Sequence, residues 1–323
     1  MKKLVMKGPK QSKLIDVPMP KLENDTDVLI KLTYCGVCMS EHYAWSTAEE
    51  GLSFGHEPIG VVEAVGSAVT YVKVGDRVSF GGDGSAEYTV HDEKGLVKIP
   101  DNITDIEAIV EPLYCILGAV TKLSLPMPGD KVAIVGCGYM GCGAISLLTM
   151  RGYDVVAVDV RRESLEDAKK YGAKEVYLPD ELPAGYLTDK EAPFETGFSV
   201  VMEWGETNES LDLAMHMTRM CGQLAIGAYH TGGKRLVDIQ WLNFMAIDCL
   251  STHPREADFH CHAAHNAMDL IASGKWNYKT VPTKVYSITD FDKAQAELTS
   301  KYGKYMKAIV DWQNMELDPY IVG

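Results

Sequence analysis

The stretch KVAIVGCGYMGCG, Lys131 to Gly143, decides the fold. An apolar run ends abruptly in three glycines, Gly136, Gly138 and Gly141, spaced G-x-G-x-x-G, and a helix-compatible stretch follows. Glycine permits a tight turn and lets backbone approach a ligand closely. The opening helix offers a pyrophosphate unpaired N–H groups and the positive end of its dipole. A glycine triplet alone is a weak signal. Here the next apolar strand, VVAVD, ends in Asp159, where a carboxylate can take an adenosine ribose diol. The pattern predicts a dinucleotide site built on Gly136, Gly138, Tyr139, Met140, Gly141 and Asp159. The acid repels a ribose 2'-phosphate and so favours NAD over NADP, although Arg161 and Arg162 just beyond it soften that discrimination.

Outward from this loop, strand and helix patterns alternate through FSVVMEW, NESLDLAMHMTRM, GQLAIGAY and AIDCLST. In the helical segment Leu211, Ala214, Met215 and Thr218 share one face. Such alternation calls for a parallel sheet with flanking helices. Upstream, to about residue 110, short β-rich runs such as DVLIKLTYC, GVVEAVG and AEYTVHD are punctuated by Gly, Pro, Asp and Asn, the rhythm of a mostly antiparallel barrel or sandwich. Downstream, ADFHCHAAHNAMDLIASGKW reads as one long helix, followed by strand and helix pieces that return to the first domain. The expected fold class is α/β: a doubly wound domain over 116–252, and a second domain assembled from 1–115 and 253–323.

Composition narrows the function. The chain has 323 residues, 46% of them hydrophobic, which is more than one ordinary core organises. A formal net charge of -14 opposes phosphate backbones and anionic lipid, so nucleic-acid and membrane partners are not expected. The early lysines are followed by no apolar run of signal-peptide length, and no run approaches a membrane span. Eight scattered cysteines then read as reduced thiols or metal ligands in a cytoplasmic protein.

Which thiols bind something turns on TYCGVCMSEHYAW, residues 33–45. Its C-x-x-C, Cys35 and Cys38, admits a redox pair, half of a zinc knuckle, or a site where one sulfur matters. SFGHEPIG adds His56 and Glu57, and IVEPLYC adds Glu111. Thiolate, imidazole and carboxylate are zinc's ligands, and a catalytic site needs three from the protein so that a fourth position stays open. Cys38, His56 and Glu111, with Glu57 adjacent, would supply the set. Taken singly, each residue also has an ordinary reading as a core thiol, a turn histidine or a helix-start acid.

Taken together and in order, CGVC, GHEPIGVVEAVG, KVGDRV, SAEYTV, EPL, PGDKVAIVGCGYMG and DLIASGKW resemble the zinc-containing medium-chain dehydrogenase/reductase superfamily, in its alcohol, polyol and threonine dehydrogenase branch. The resemblance covers essentially the whole chain. It implies a co-chaperonin-like β-barrel catalytic domain, a Rossmann domain, and a homodimer or homotetramer. It also implies zinc on Cys38 and His56, with Glu57 and Glu111 as ligands or as alternates to bound water. The implied activity is hydride transfer between NAD and the secondary alcohol of a polyol, sugar or cyclitol, or the matching ketone.

The chain departs from the family pattern in two places. The four-cysteine lobe that holds a structural zinc in many members is missing from GDRVSFGGDGSAEYTV, so one zinc per chain is expected. After Cys38, Ser40 matches the hydroxyl that begins the family's proton relay. Glu41 stands where a shorter acid is usual, and Tyr43 replaces the relay histidine, with His42 one place early. A phenol with a pKa near 10 shuttles protons poorly at neutral pH. Either His42 turns inward or protons leave through the cofactor ribose and water. Ser40, Glu41, His42 and Glu57 are therefore the expected catalytic set.

His260, His262 and His265 around Cys261 lack the spacing of a metal site, and His253 is a candidate substrate contact. Trp45 and Trp241 read as core or interface residues with a possible place in the cleft. The rival functions are an amino-alcohol dehydrogenase, a zinc-free quinone or enoyl reductase, and a non-enzymatic C-x-x-C module.

Overall fold

A computed structural model describes residues 1–253, 255–300 and 304–323. The chain divides into two compact units, one comprising Met1–Tyr114, Ala257–Gly274 and Lys279–Gly323, the other Cys115–Glu256 and Lys275–Tyr278. The short piece Lys275–Tyr278 belongs with the second unit because Trp276 and Tyr278 are buried there. The Tyr278 ring packs at 5.3 Å and 4.9 Å from Tyr139 and Tyr171, and its hydroxyl donates to the Tyr139 carbonyl.

In the first unit, β1 (Lys2–Gly8) and β2 (Gln11–Asp16) form a hairpin. The main sheet uses β3 (Asp27–Val37), β4 (Glu57–Val65), β5 (Arg77–Ser79), β6 (Tyr88–Asp92) and β7 (Val97–Lys98). A short helix α1 (His42–Ser46) precedes β4, and α2 (Val110–Thr121) follows β7. After the second unit the chain returns through α7 (Ala257–Ala272), β14 (Thr283–Ser287), α8 (Phe291–Glu297), β15 (Lys307–Asp311) and β16 (Tyr320–Val322). The strand order is β16-β14-β15-β3-β4-β5-β7, with β6 also paired to β3. Every pairing is antiparallel except β14 with β15. Val28, Ile30 and Leu32 alternate into the core from β3, meeting Val62, Val78, Phe80 and Tyr286.

Register in this sheet positions the chemistry. Gly36 of β3 lies opposite Glu57 on β4 and opposite Ile309 on β15. Glu57 and Lys307 thus flank the same strand end, where Gly36 has no side chain to separate them. A methyl on Gly36 would come within 1.8 Å of the Glu57 Oε2.

The second unit is a six-stranded, wholly parallel sheet in the order β10-β9-β8-β11-β12-β13. One half runs β8 (Lys131–Val135), α3 (Tyr139–Met150), β9 (Asp154–Val158), α4 (Arg162–Lys170) and β10 (Glu175–Tyr177). The other runs β11 (Phe198–Glu203), α5 (Asn208–Met217), β12 (Thr218–Ile226), α6 (Ile239–Phe244) and β13 (Asp248–Ser251). Central strands are continuous apolar runs because helices cover both faces, and in β8 only Lys131 is exposed. α5 starts where the Thr207 hydroxyl accepts the Ser210 N–H and buries Leu211, Ala214, Met215 and Met217. Thr218, expected on that helix face, instead opens β12, and its hydroxyl donates back to the Ala214 carbonyl.

Candidate functional site

Cys38 ends the extended run of β3, and a 3-10 turn over Met39–Glu41 carries the chain into α1. The chain comes back at His56 and Glu57, the start of β4. Ligand atoms of Cys38, His56 and Glu57 lie within 4.8 Å of one another, the one such metal-ligating trio among the described residues. Glu57 is 1% exposed, while Cys38 and His56 are half-buried. The trio therefore has a closed side and an open one.

The surrounding residues hold these side chains in place. Glu41 Oε1 accepts from the His56 Nδ1 at 2.6 Å and from the Gly55 N–H at 2.9 Å. A carboxylate on one imidazole nitrogen fixes the ring's tautomer and leaves the other nitrogen for a metal. Burial alone would lower the His56 pKa, but hydrogen bonds with Cys38 and Glu41 and the field of Glu57 raise it to about 12. A cysteine sulfur, an imidazole and a carboxylate are a donor set that fits zinc. Lys307, itself buried, places its ammonium 2.7 Å from Glu57 Oε1 and 2.5 Å from Oε2. The Ser40 hydroxyl sits 3.2 Å from the Cys38 sulfur.

Glu111 lies outside the trio, half-buried on the first turn of α2 beside Gly81. His42 turns toward α8, its Nδ1 donating to the Gln295 carbonyl at 3.1 Å, and Tyr43 is exposed. Glu41 is engaged by His56 and Gly55. Cys35 is fully packed, and burial pushes its thiol pKa well above the usual range. A methyl on Gly84 would meet its sulfur at 2.5 Å. The two sulfurs of the C-x-x-C are thus in unlike environments.

In the second unit Gly136 has φ +96°, and a Cβ there would meet the Gly205 N at 2.6 Å. At Gly141 a Cβ would lie 1.9 Å from the Gly136 carbonyl oxygen. At Gly138 it would meet nothing within 4 Å, so the middle glycine borders open space where Tyr139 and Met140 begin α3. Two glycines close the turn and the third leaves room for a ligand, which fits a pyrophosphate. Asp159, at the end of β9, braces the loop: Oδ2 accepts from the Cys137 N–H at 2.8 Å and Oδ1 from the Arg161 N–H at 2.9 Å.

His260 stacks on Tyr114, His265 meets Tyr71 edge-on, and His262 is exposed; none joins a metal-ligating trio among the described residues. His253 is half-buried just after β13. Trp45 is buried in the first unit's core with its indole N–H on Asp292, and Trp241 packs beside His216 in the second. Lys307 escaped the sequence reading. Its signal was a charged residue inside the apolar strand MKAIVDW.

Residues 24–101 match the alcohol dehydrogenase GroES-like domain, and residues 131–193 match the NAD-binding domain of 3-hydroxyacyl-CoA dehydrogenase. A probable D-xylulose reductase A of Aspergillus fumigatus is 29% identical, with 95% of each chain covered. Among solved structures, galactitol-1-phosphate dehydrogenase from Escherichia coli superposes with a TM-score of 0.79 at 20% identity, over 96% of this chain and 100% of that one. The 2R,3R-butanediol dehydrogenase from Bacillus subtilis gives 0.77 at 23% identity, over 96% and 99%.

Proposed function

We propose that the chain is a member of the zinc-containing medium-chain dehydrogenase/reductase superfamily, and that it oxidises the secondary alcohol of a polyol, sugar or cyclitol with NAD, or reduces the corresponding ketone. The observation that carries this reading is the convergence of Cys38, His56 and Glu57 in one pocket, with Glu41 holding the imidazole. Polyols and sugars are preferred over amino alcohols because the relatives covering 95% of the chain are named D-xylulose reductases.

Cys38 and His56 would hold one zinc, with Glu57 or Glu111 completing the site, and the glycine loop and Asp159 would hold NAD. Bound there, zinc supplies the Lewis acidity that lowers a hydroxyl's pKa, and NAD accepts the hydride. Ser40, beside the Cys38 sulfur, takes the proton leaving the substrate hydroxyl. His42, with Nδ1–H donated to the Gln295 carbonyl, keeps a lone pair on Nε2 and is the next acceptor. Glu41 orients His56, and Lys307 compensates the Glu57 charge.

A homodimer or homotetramer fits the exposed edge strand β13 and the neighbouring exposed Leu236, Ile239 and Phe244, which offer unpaired backbone and apolar surface. A cytoplasmic setting fits eight free cysteines. Among the described residues no helix is long and apolar enough to cross a membrane.

The decisive experiment presents zinc-quantified protein and NAD with a panel of polyols, sugars, cyclitols and amino alcohols, followed at the NADH absorbance. Turnover of polyols or sugars is expected. Turnover confined to amino alcohols would move the substrate class, and none at full zinc occupancy would overturn the reading. Light scattering on the same preparation reports whether it is dimeric or tetrameric; a monomer would remove the assembly.

A further inference from the structure

A second set of buried polar groups lies at the carboxyl ends of β11 and β12, outside the glycine loop. Glu203, the last residue of β11, is fully buried. Its Oε1 accepts from the Gly205 N–H, the Glu206 N–H and the Ser210 hydroxyl at 2.7, 2.8 and 2.7 Å. Its Oε2 lies 2.8 Å from the Nε2 of His230, in the segment after β12. A carboxylate with that many donors is an acceptor only, so Nε2 carries the proton. In the neutral ring Nδ1 is then a lone pair. It is buried and has no hydrogen-bond partner among the described residues. An orphaned buried acceptor of this kind is costly, so a native fold rarely keeps one without use.

The backbone here is strained as well. His230 has φ +52° and Glu206 has φ +63°, a region that side chains other than glycine seldom occupy. Both are held there by a clasp between the two loops. The Thr231 N–H and hydroxyl donate to Glu206 Oε1 at 2.9 and 2.6 Å. The Arg235 Nη2 donates to the carbonyls of Glu206 and Thr231. Strain retained by surrounding bonds marks a group whose position matters.

Strand order says what should meet it. A dinucleotide lies across the carboxyl ends of a doubly wound sheet at its switch point, here between β8 and β11. Asp159 directly follows β9, so the adenosine half lies on that side and the nicotinamide half over β11 and β12. We propose that His230, held by Glu203, is a positioning residue for the nicotinamide: its Nδ1 accepts an N–H of the carboxamide and so orients the ring for hydride transfer. The inference rests on the reading that this unit binds NAD.

The test compares NADH with the reduced 3-acetylpyridine analogue, which keeps the ring carbonyl but lacks the N–H. Binding to the zinc-loaded protein is measured by calorimetry for wild type, His230→Gly and His230→Asn. Both replacements tolerate positive φ, and Asn restores an acceptor near the Nδ1 position. Wild type should prefer NADH. Gly should weaken NADH about fivefold to tenfold while leaving the analogue within twofold, and Asn should recover most of the loss. The His230 Nδ1 nitrogen resonance should also move upfield from its free-imine position when NADH binds. Equal weakening of both ligands by Gly, or none, with an unmoved resonance, would overturn the role of His230 while leaving the cofactor site intact. Wild-type protein that binds neither ligand would overturn both.

Discussion

The two units build their sites from opposite materials. In the first, chemistry rests on side chains: a thiol, an imidazole and a carboxylate brought together from two strand ends, and braced by Glu41 and by the buried Lys307. In the second it rests on backbone exposed by missing side chains, with Gly136 and Gly141 closing a turn and Gly138 opening onto space. A site of charged side chains must be neutralised when buried, and losing a partner should be felt as uncompensated charge. A site of glycines must be kept empty, and adding a methyl should be felt as a clash or as a blocked ligand, depending on which glycine receives it.

The largest effect is expected from breaking the buried pair. Glu57 and Lys307 are 1% and 6% exposed, and their charged groups approach to 2.5 Å. Lys307→Met would leave the carboxylate without its cation beside an already acidic pocket. A loss of about 3–5 kcal/mol is expected in denaturant melts of zinc-stripped protein, where no metal compensates the carboxylate. Adding Glu57→Gln should restore most of that loss, since the pair's desolvation cost goes with its attraction. A Lys307→Met protein within about 1 kcal/mol of wild type would show that the pocket does not depend on this charge.

On the glycine side, Gly141→Ala and Gly138→Ala separate packing from ligand space. At Gly141 the new methyl would press on the Gly136 carbonyl oxygen 1.9 Å away, and backbone cannot move aside cheaply. A destabilisation of about 3 kcal/mol is expected. At Gly138, with φ -76° and no atom within 4 Å, alanine should fold within about 0.5 kcal/mol of wild type yet raise the NADH dissociation constant about tenfold or more. Equal melting points for the two variants, or unchanged NADH affinity in Gly138→Ala, would break the contrast.

The same contrast explains what the sequence revealed. The glycine loop was legible because its spacing, the strand before it and the helix after it lie within thirteen consecutive residues, and local chemistry determines a local turn. The period change from short punctuated strands to alternating strand and helix likewise announced one mostly antiparallel and one parallel sheet. The first unit's site was less legible because its parts meet through register. Lys307 follows Glu57 by 250 positions and reaches it only because β3 sits between β4 and β15 with Gly36 at the crossing. The partner of His42 is a backbone carbonyl of α8, which leaves no mark in composition or spacing. His230 was equally silent, since pairing with Glu203 requires β11 and β12 to be neighbours.

Glu41 provides the smallest and most specific of these tests. Its position beside Ser40 and His42 suggested a link in proton transfer, yet its carboxylate is committed to the His56 Nδ1 and the Gly55 N–H. Glu41→Gln keeps the length and one acceptor oxygen while removing the charge. If the residue works by orienting and polarising His56, zinc affinity in chelator competition should fall about 10- to 100-fold, the range for such supporting carboxylates. Once zinc is saturating, the pH profile of kcat should keep the wild-type shape, because no proton passes through this side chain. A shifted profile at full zinc occupancy, with unchanged affinity, would return Glu41 to the relay. In that case the division between a ligand-holding acid and a proton path through Ser40 and His42 would have to be redrawn.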